Sequence, residues 1–124
     1  MLFEVEFYED HTGAEPVKEF ILELQVKART SKADRVRVNK VLTYIKVLQN
    51  HGTRAGMPYI KHIDGDIWEL RPFGDRIFFF YFKNNTFILL HHFLKKAQKT
   101  PQREIDHAKH NMMDHKERSK ENGK

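Results

Sequence analysis

The chain has 124 residues, no cysteine and a formal net charge of +5. That length suffices for one domain whose core needs neither disulfides nor metal, and the lack of thiols fits a reducing compartment. The longest apolar run, Ile77 to Phe82, is far too short to span a membrane. The opening MLFEVEFYED is acidic and alternating, unlike a signal peptide, so a cytoplasmic protein with no membrane partner is expected.

The charge is unevenly spread. Residues 1–53 carry 8 Lys/Arg against 8 Asp/Glu, residues 54–101 carry 8 against 4, and residues 102–124 carry 6 against 5. Basicity gathered on one aromatic-rich stretch favours a polyanionic partner, nucleic acid first.

In chain order, LFEVEFY alternates, with Phe3, Val5 and Phe7 on one side and Glu4 and Glu6 on the other, the pattern of a half-buried strand. From Ala14 to about Arg29, Val17, Phe20, Ile21 and Leu24 recur at helical spacing, and Pro16 suits a first turn. Ser31 is a natural N-cap for a second helix over Lys32 to Asn50, with Val38, Val41, Leu42, Ile45 and Leu48 as its apolar stripe. The two form a helical hairpin, and Arg35, Arg37 and Lys40 read as a solvated face. TRAGMPYI, residues 53–60, reads as a loop.

Three apolar runs follow: Ile67–Leu70, Ile77–Phe82 and Phe87–Leu94, separated by Pro72-Phe73-Gly74-Asp75 and by Asn84-Asn85. Short aromatic and β-branched runs between such turn-formers are strands joined by hairpins. Thr100-Pro101 opens a helix that reaches about His115. Residues 1–115 therefore form a single domain, and 116–124 read as a disordered charged tail. The class is α+β: a curved antiparallel sheet of about four strands, with the helical hairpin and the last helix packed on one face.

Chemistry concentrates where the strands end. Alternation places Trp68 and Leu70 in the core and Glu69 and Arg71 together on the open face, with Arg76 across the turn. A carboxylate between two guanidinium groups can be a plain cross-strand salt bridge. It can also serve phosphodiester chemistry, in which a base removes the 2′-hydroxyl proton and planar guanidinium forks hold the phosphate. His91, His92 or the Tyr81 hydroxyl would donate a proton to the departing oxygen. Adjacent strand histidines face opposite sides, so His91 and His92 cannot both enter one site. His107, His110 and His115 read as solvated, with no third ligand placed for a metal.

The segments WELRP, RIFFFYF and ILLHHFLKKAQKTPQREI together resemble the phage-derived HigB-like branch of the RelE/ParE toxin superfamily. The resemblance covers residues 61–108 well, and the preceding helical hairpin fits the same fold. It implies the toxin of a type II toxin-antitoxin pair that cleaves mRNA on the ribosome without metal or other cofactor. It also implies a helix-turn-helix antitoxin of HigA type as partner, with operator DNA contacted only through that antitoxin. By position, Arg71 and Arg76 match phosphate-contacting arginines, and Lys95 and Lys96 match a basic cluster. Glu69 falls where relatives hold a lysine or, nearby, a carboxylate base; His92 replaces a residue that is often small. The catalytic set expected from this is Glu69, Arg71, Arg76 and His92, with Lys61, Lys95, Lys96 and Lys99 on RNA. Relatives of ParE type share the fold but inhibit DNA gyrase, and a plain RNA-binding module is a third reading.

Overall fold

The computed structural model describes residues 2–121. In chain order the elements are β1 (Glu4–Phe7), α1 (Pro16–Lys27), α2 (Lys32–His51), a 3-10 turn (Gly52–Ala55), β2 (Ile60–Asp64), β3 (Ile67–Leu70), β4 (Asp75–Lys83), β5 (Thr86–Leu94) and α3 (Gln102–Glu121). The helix starts follow local chemistry. Pro16 occupies the first turn of α1, where no intrahelical donor is lost. The Ser31 hydroxyl accepts a hydrogen bond from Asp34 N–H at 3.2 Å, capping α2.

The fold is α+β, with five strands rather than four, in the order β1-β5-β4-β3-β2. The added strand is β2, whose Ile60 lies at the end of the stretch read as a loop. It is an edge strand with mostly polar residues, so it gives no apolar run to detect. The sheet is also mixed: β1 pairs in parallel with β5, while the other three pairings are antiparallel.

Helices cover both faces, not one. Val17, Ile21, Leu24, Val41 and Leu48 of α1 and α2 pack against Leu70, Ile77, Phe79 and Leu89. Phe78, Phe80, Ile88 and Leu90 point the other way and meet Ala108 and Met112 of α3. The run RIFFFYF is apolar at successive positions because β4 is buried on both sides. Each buried phenyl ring contributes roughly 1.5 to 3 kcal/mol relative to exposure, so β4 and β5 are the rigid centre of the molecule.

The last helix also runs past His115 to Glu121, so residues 116–121 of the expected tail are helical; residues 122–124 lie outside the described residues. Its final turns are anchored. Arg118 bonds to the Glu9 carbonyl and to Asp114, which accepts from the Tyr8 hydroxyl at 2.6 Å, and Lys116 lies 3.6 Å from Asp66.

At the other end of α2, Gly52 has φ +61°, and a Cβ there would stand 2.8 Å from the Phe3 ring. Gly52→Ala is expected to lower stability by about 1 to 3 kcal/mol, from left-handed strain and overpacking together. Urea denaturation checks this; an unchanged midpoint would mean that Phe3 is free to move aside.

Candidate functional site

At the end of the β3–β4 hairpin, Glu69 Oε1 lies 3.3 Å from Arg71 Nε and 3.7 Å from Arg76 Nε. All three belong to one cluster, but the face they share is not open. Glu69 is 1% exposed, on the side of the sheet that α3 covers, which sequence alternation alone could not reveal. Burial raises the Glu69 pKa, and the charges of Arg76, Arg71, Lys95 and Lys61 pull it back in that order without cancelling the shift. Lys61 stands directly across from Glu69 in the β2–β3 register.

The cluster is held but not satisfied. Arg76 donates one nitrogen to the carbonyls of Phe73 and Asp75, and Arg71 reaches the Met57 sulfur. Glu69 Oε2 and the Nε atoms of both arginines are buried without a hydrogen-bond partner. Such groups carry a desolvation cost of about 1 to 3 kcal/mol each. An acceptor and two donors thus lie together here without a hydrogen bond. The turn that joins the arginines holds Phe73 at φ +57°, rare for a bulky residue.

The two strand histidines part company, as alternation requires. His91 shares a rung with Phe78, which shares the next rung with Glu69, so all three line the α3 face. Its Nε2 lies 2.8 Å from Glu104 Oε1 of α3, and its ring stacks on His107 at 4.2 Å. Burial lowers the His91 pKa, opposed in part by Glu104. Two strand spacings put the Cα atoms of Glu69 and His91 about 10 Å apart.

The structure does not bring His92 to this cluster. It lies on the opposite face, with Nε2 2.9 Å from Asp75 Oδ1 and its ring stacked on Phe20 at 3.4 Å. Asp75 also accepts two hydrogen bonds from Arg37, at 3.0 and 2.8 Å. Arg37 is therefore a structural clamp between α2 and β4, not a solvated cation. Sequence reasoning missed Asp75 altogether, because its partners lie 38 and 17 residues away and no spacing links them.

The remaining candidates divide. Lys95 sits at the hairpin end, its N–H bonded to the Gly74 carbonyl at 2.9 Å, whereas Lys96 and Lys99 are exposed on the connection to α3. Tyr81 caps the β4–β5 hairpin by accepting the Asn85 N–H, on a rung with Phe87 and away from Glu69. Of the three α3 histidines, His107 and His115 are not merely solvated. His107 stacks on His91, and His115 packs edge-on against Phe82 at 4.8 Å. No group of three or more His, Asp or Glu among the described residues is arranged to hold a metal ion. No helix there is long and apolar enough to cross a membrane.

A family model described as phage derived protein Gp49-like (DUF891) matches residues 29–113, a span that includes Arg37, Glu69, Arg71, Asp75, Arg76 and both strand histidines. None of the curated proteins matches the chain. More than half of the sequence thus falls within one family model, and the chain belongs to the phage-derived Gp49-like family, within the RelE/ParE-like toxin class.

Proposed function

We propose that this protein is an mRNA endonuclease toxin that acts on the ribosome, the HigB-like role in a toxin-antitoxin pair. The observation that carries this reading is the buried Glu69 ion-paired with Arg71 and Arg76, with one carboxylate oxygen and the two guanidinium Nε atoms making no hydrogen bond. In the proposed reaction Glu69 accepts the 2′-hydroxyl proton, for which a carboxylate pKa raised by burial is favourable. The arginines hold the non-bridging oxygens as the phosphorane forms, and guanidinium forks suit that geometry. The 2′ oxygen then bonds to phosphorus, and the bond to the 5′ oxygen breaks.

Of the two strand histidines, His91 is the better placed to protonate the 5′ oxygen, since it shares the face of Glu69 whereas His92 lies on the other face. Attacking and departing oxygens lie on opposite sides of phosphorus, so base and acid need not touch. Lys61, Lys95, Lys96 and Lys99 would follow the RNA backbone, with Lys61 and Lys95 close enough to act on the Glu69 charge. The partner proposed with this reading is a helix-turn-helix antitoxin that keeps the toxin off the ribosome and alone contacts operator DNA.

Expression of the protein by itself is expected to stop growth through loss of translation, with new 5′ ends inside translated mRNA. Mapping of 5′ ends after brief induction measures this. Growth arrest with intact mRNA and trapped gyrase-DNA complexes would instead place the protein with the ParE-type inhibitors.

A further inference from the structure

A second concave site lies on the other face of the sheet. A cavity of about 480 Å³ opens beside the C-terminal end of α2, within the size range of small-molecule sites. Its wall is aromatic: Phe3, Trp68, Tyr81 and Phe87, with Phe3 and Tyr81 packing against Phe87 at 5.1 and 5.5 Å between ring centroids. Phe3, Trp68 and Phe87 belong to the core cluster of α1 and α2, so the cavity and Glu69 lie on opposite faces.

The charge around it has one sign. Arg54 and His51 line the cavity, and no Asp or Glu does. Arg54 is exposed and, like Arg29 and Arg35, makes no ion pair among the described residues, whereas Arg37, Arg71, Arg76, Arg103 and Arg118 do. The wall itself is built. Gly52, between His51 and Thr53 of the rim, leaves the room that the Phe3 ring occupies. The Asn85 N–H holds the Tyr81 hydroxyl at 3.1 Å while the Tyr81 ring stays half exposed.

An aromatic wall calls for a flat unsaturated ring, and an unpaired guanidinium beside it calls for an anion. One ligand class combines the two: a base carrying a phosphate. We propose that this cavity binds a nucleotide, its base against Trp68 and Tyr81 and its phosphate on Arg54, either free or as one residue of an RNA strand. Stacking accepts any base, and the guanidinium fork suits phosphate. The proposal does not depend on the chemistry assigned to Glu69.

Trp68 is the only tryptophan in the chain and lines this cavity, so its fluorescence reports on binding there. The protein is titrated with AMP, adenosine, inorganic phosphate, phenylalaninamide and a DNA tetranucleotide, which has no 2′-hydroxyl to react. Saturable quenching by AMP is expected, with weaker quenching by adenosine and none by phosphate. Arg54→Ala should weaken AMP about tenfold or more, leave adenosine unchanged and keep the melting temperature. Arg71→Ala, on the other face, should leave AMP quenching intact. An Arg54-dependent tetranucleotide affinity well above that of AMP assigns the site to a strand, and equal affinities assign it to a free nucleotide. No saturable AMP signal, or an AMP affinity indifferent to Arg54→Ala, overturns the proposal. Phenylalaninamide binding as well as AMP also overturns it, because the cavity would then take an apolar side chain.

Discussion

Arg76→Ala is expected to reduce mRNA cleavage roughly 100- to 1000-fold, the usual cost of deleting one preorganised donor to a developing oxyanion. It should also destabilise the fold, since Arg76 is buried and faces a buried carboxylate. Removing one partner of such a pair typically costs about 3 to 5 kcal/mol. The two effects separate in a double variant. The Glu69 pKa is raised, so Glu69 contributes stability while protonated and loses it as pH rises through the folded-state value. Glu69→Gln, neutral at every pH, should therefore return much of the stability of Arg76→Ala at pH 7 while cleavage stays lost. Arg76→Lys should rescue cleavage poorly, because a point charge does not reproduce the fork. Arg29→Ala, exposed beyond α1, is the control and should stay toxic. Single-turnover cleavage on programmed ribosomes and thermal melts give the two readouts. Full cleavage by Arg76→Ala would reduce the cluster to a structural ion pair.

The second large effect is on the opposite face. Burial of Asp75 opposes its ionisation, but hydrogen bonds from His92 and Arg37 outweigh that and lower its pKa to about 2. The sign follows from linkage: a depressed carboxylate contributes stability above its unfolded value of 3.8, and loses it as pH falls through about 2. The difference corresponds to about 2 kcal/mol. Asp75→Asn should thus be less stable than the parent by about that amount at pH 7, with the gap closing between pH 4 and 2. Urea midpoints across that range measure it. A gap that stays constant to pH 2 would mean that shape, not charge, is what Asn fails to supply.

Much of the sheet could be read from the sequence because alternation and turn residues are local signals. The doubly buried character of β4 was also on view in RIFFFYF, since a strand with one wet face does not place Phe78, Phe79 and Phe80 in succession. The placement of α3 follows from that run, although helical periodicity in α3 says nothing about which face receives it. The parallel pairing of β1 and the edge strand β2 were not legible, because neither leaves a mark in residue spacing. At the site, Glu69, Arg71 and Arg76 were brought together by hairpin arithmetic alone. The clamp of Arg37, Asp75 and His92 joins three elements through long-range packing, and a surface-looking arginine on a helix gives no warning of it.

The parallel pairing also orders events during synthesis. Glu4 finds its partner at Thr86, 82 positions later, so β1 has no place in a sheet until β5 has been made. A ribosome working through α1 and α2 carries a half-apolar strand with nowhere to dock, and contacts of that separation make for slow assembly. β1 therefore joins the sheet only after the helical hairpin and the four later strands exist.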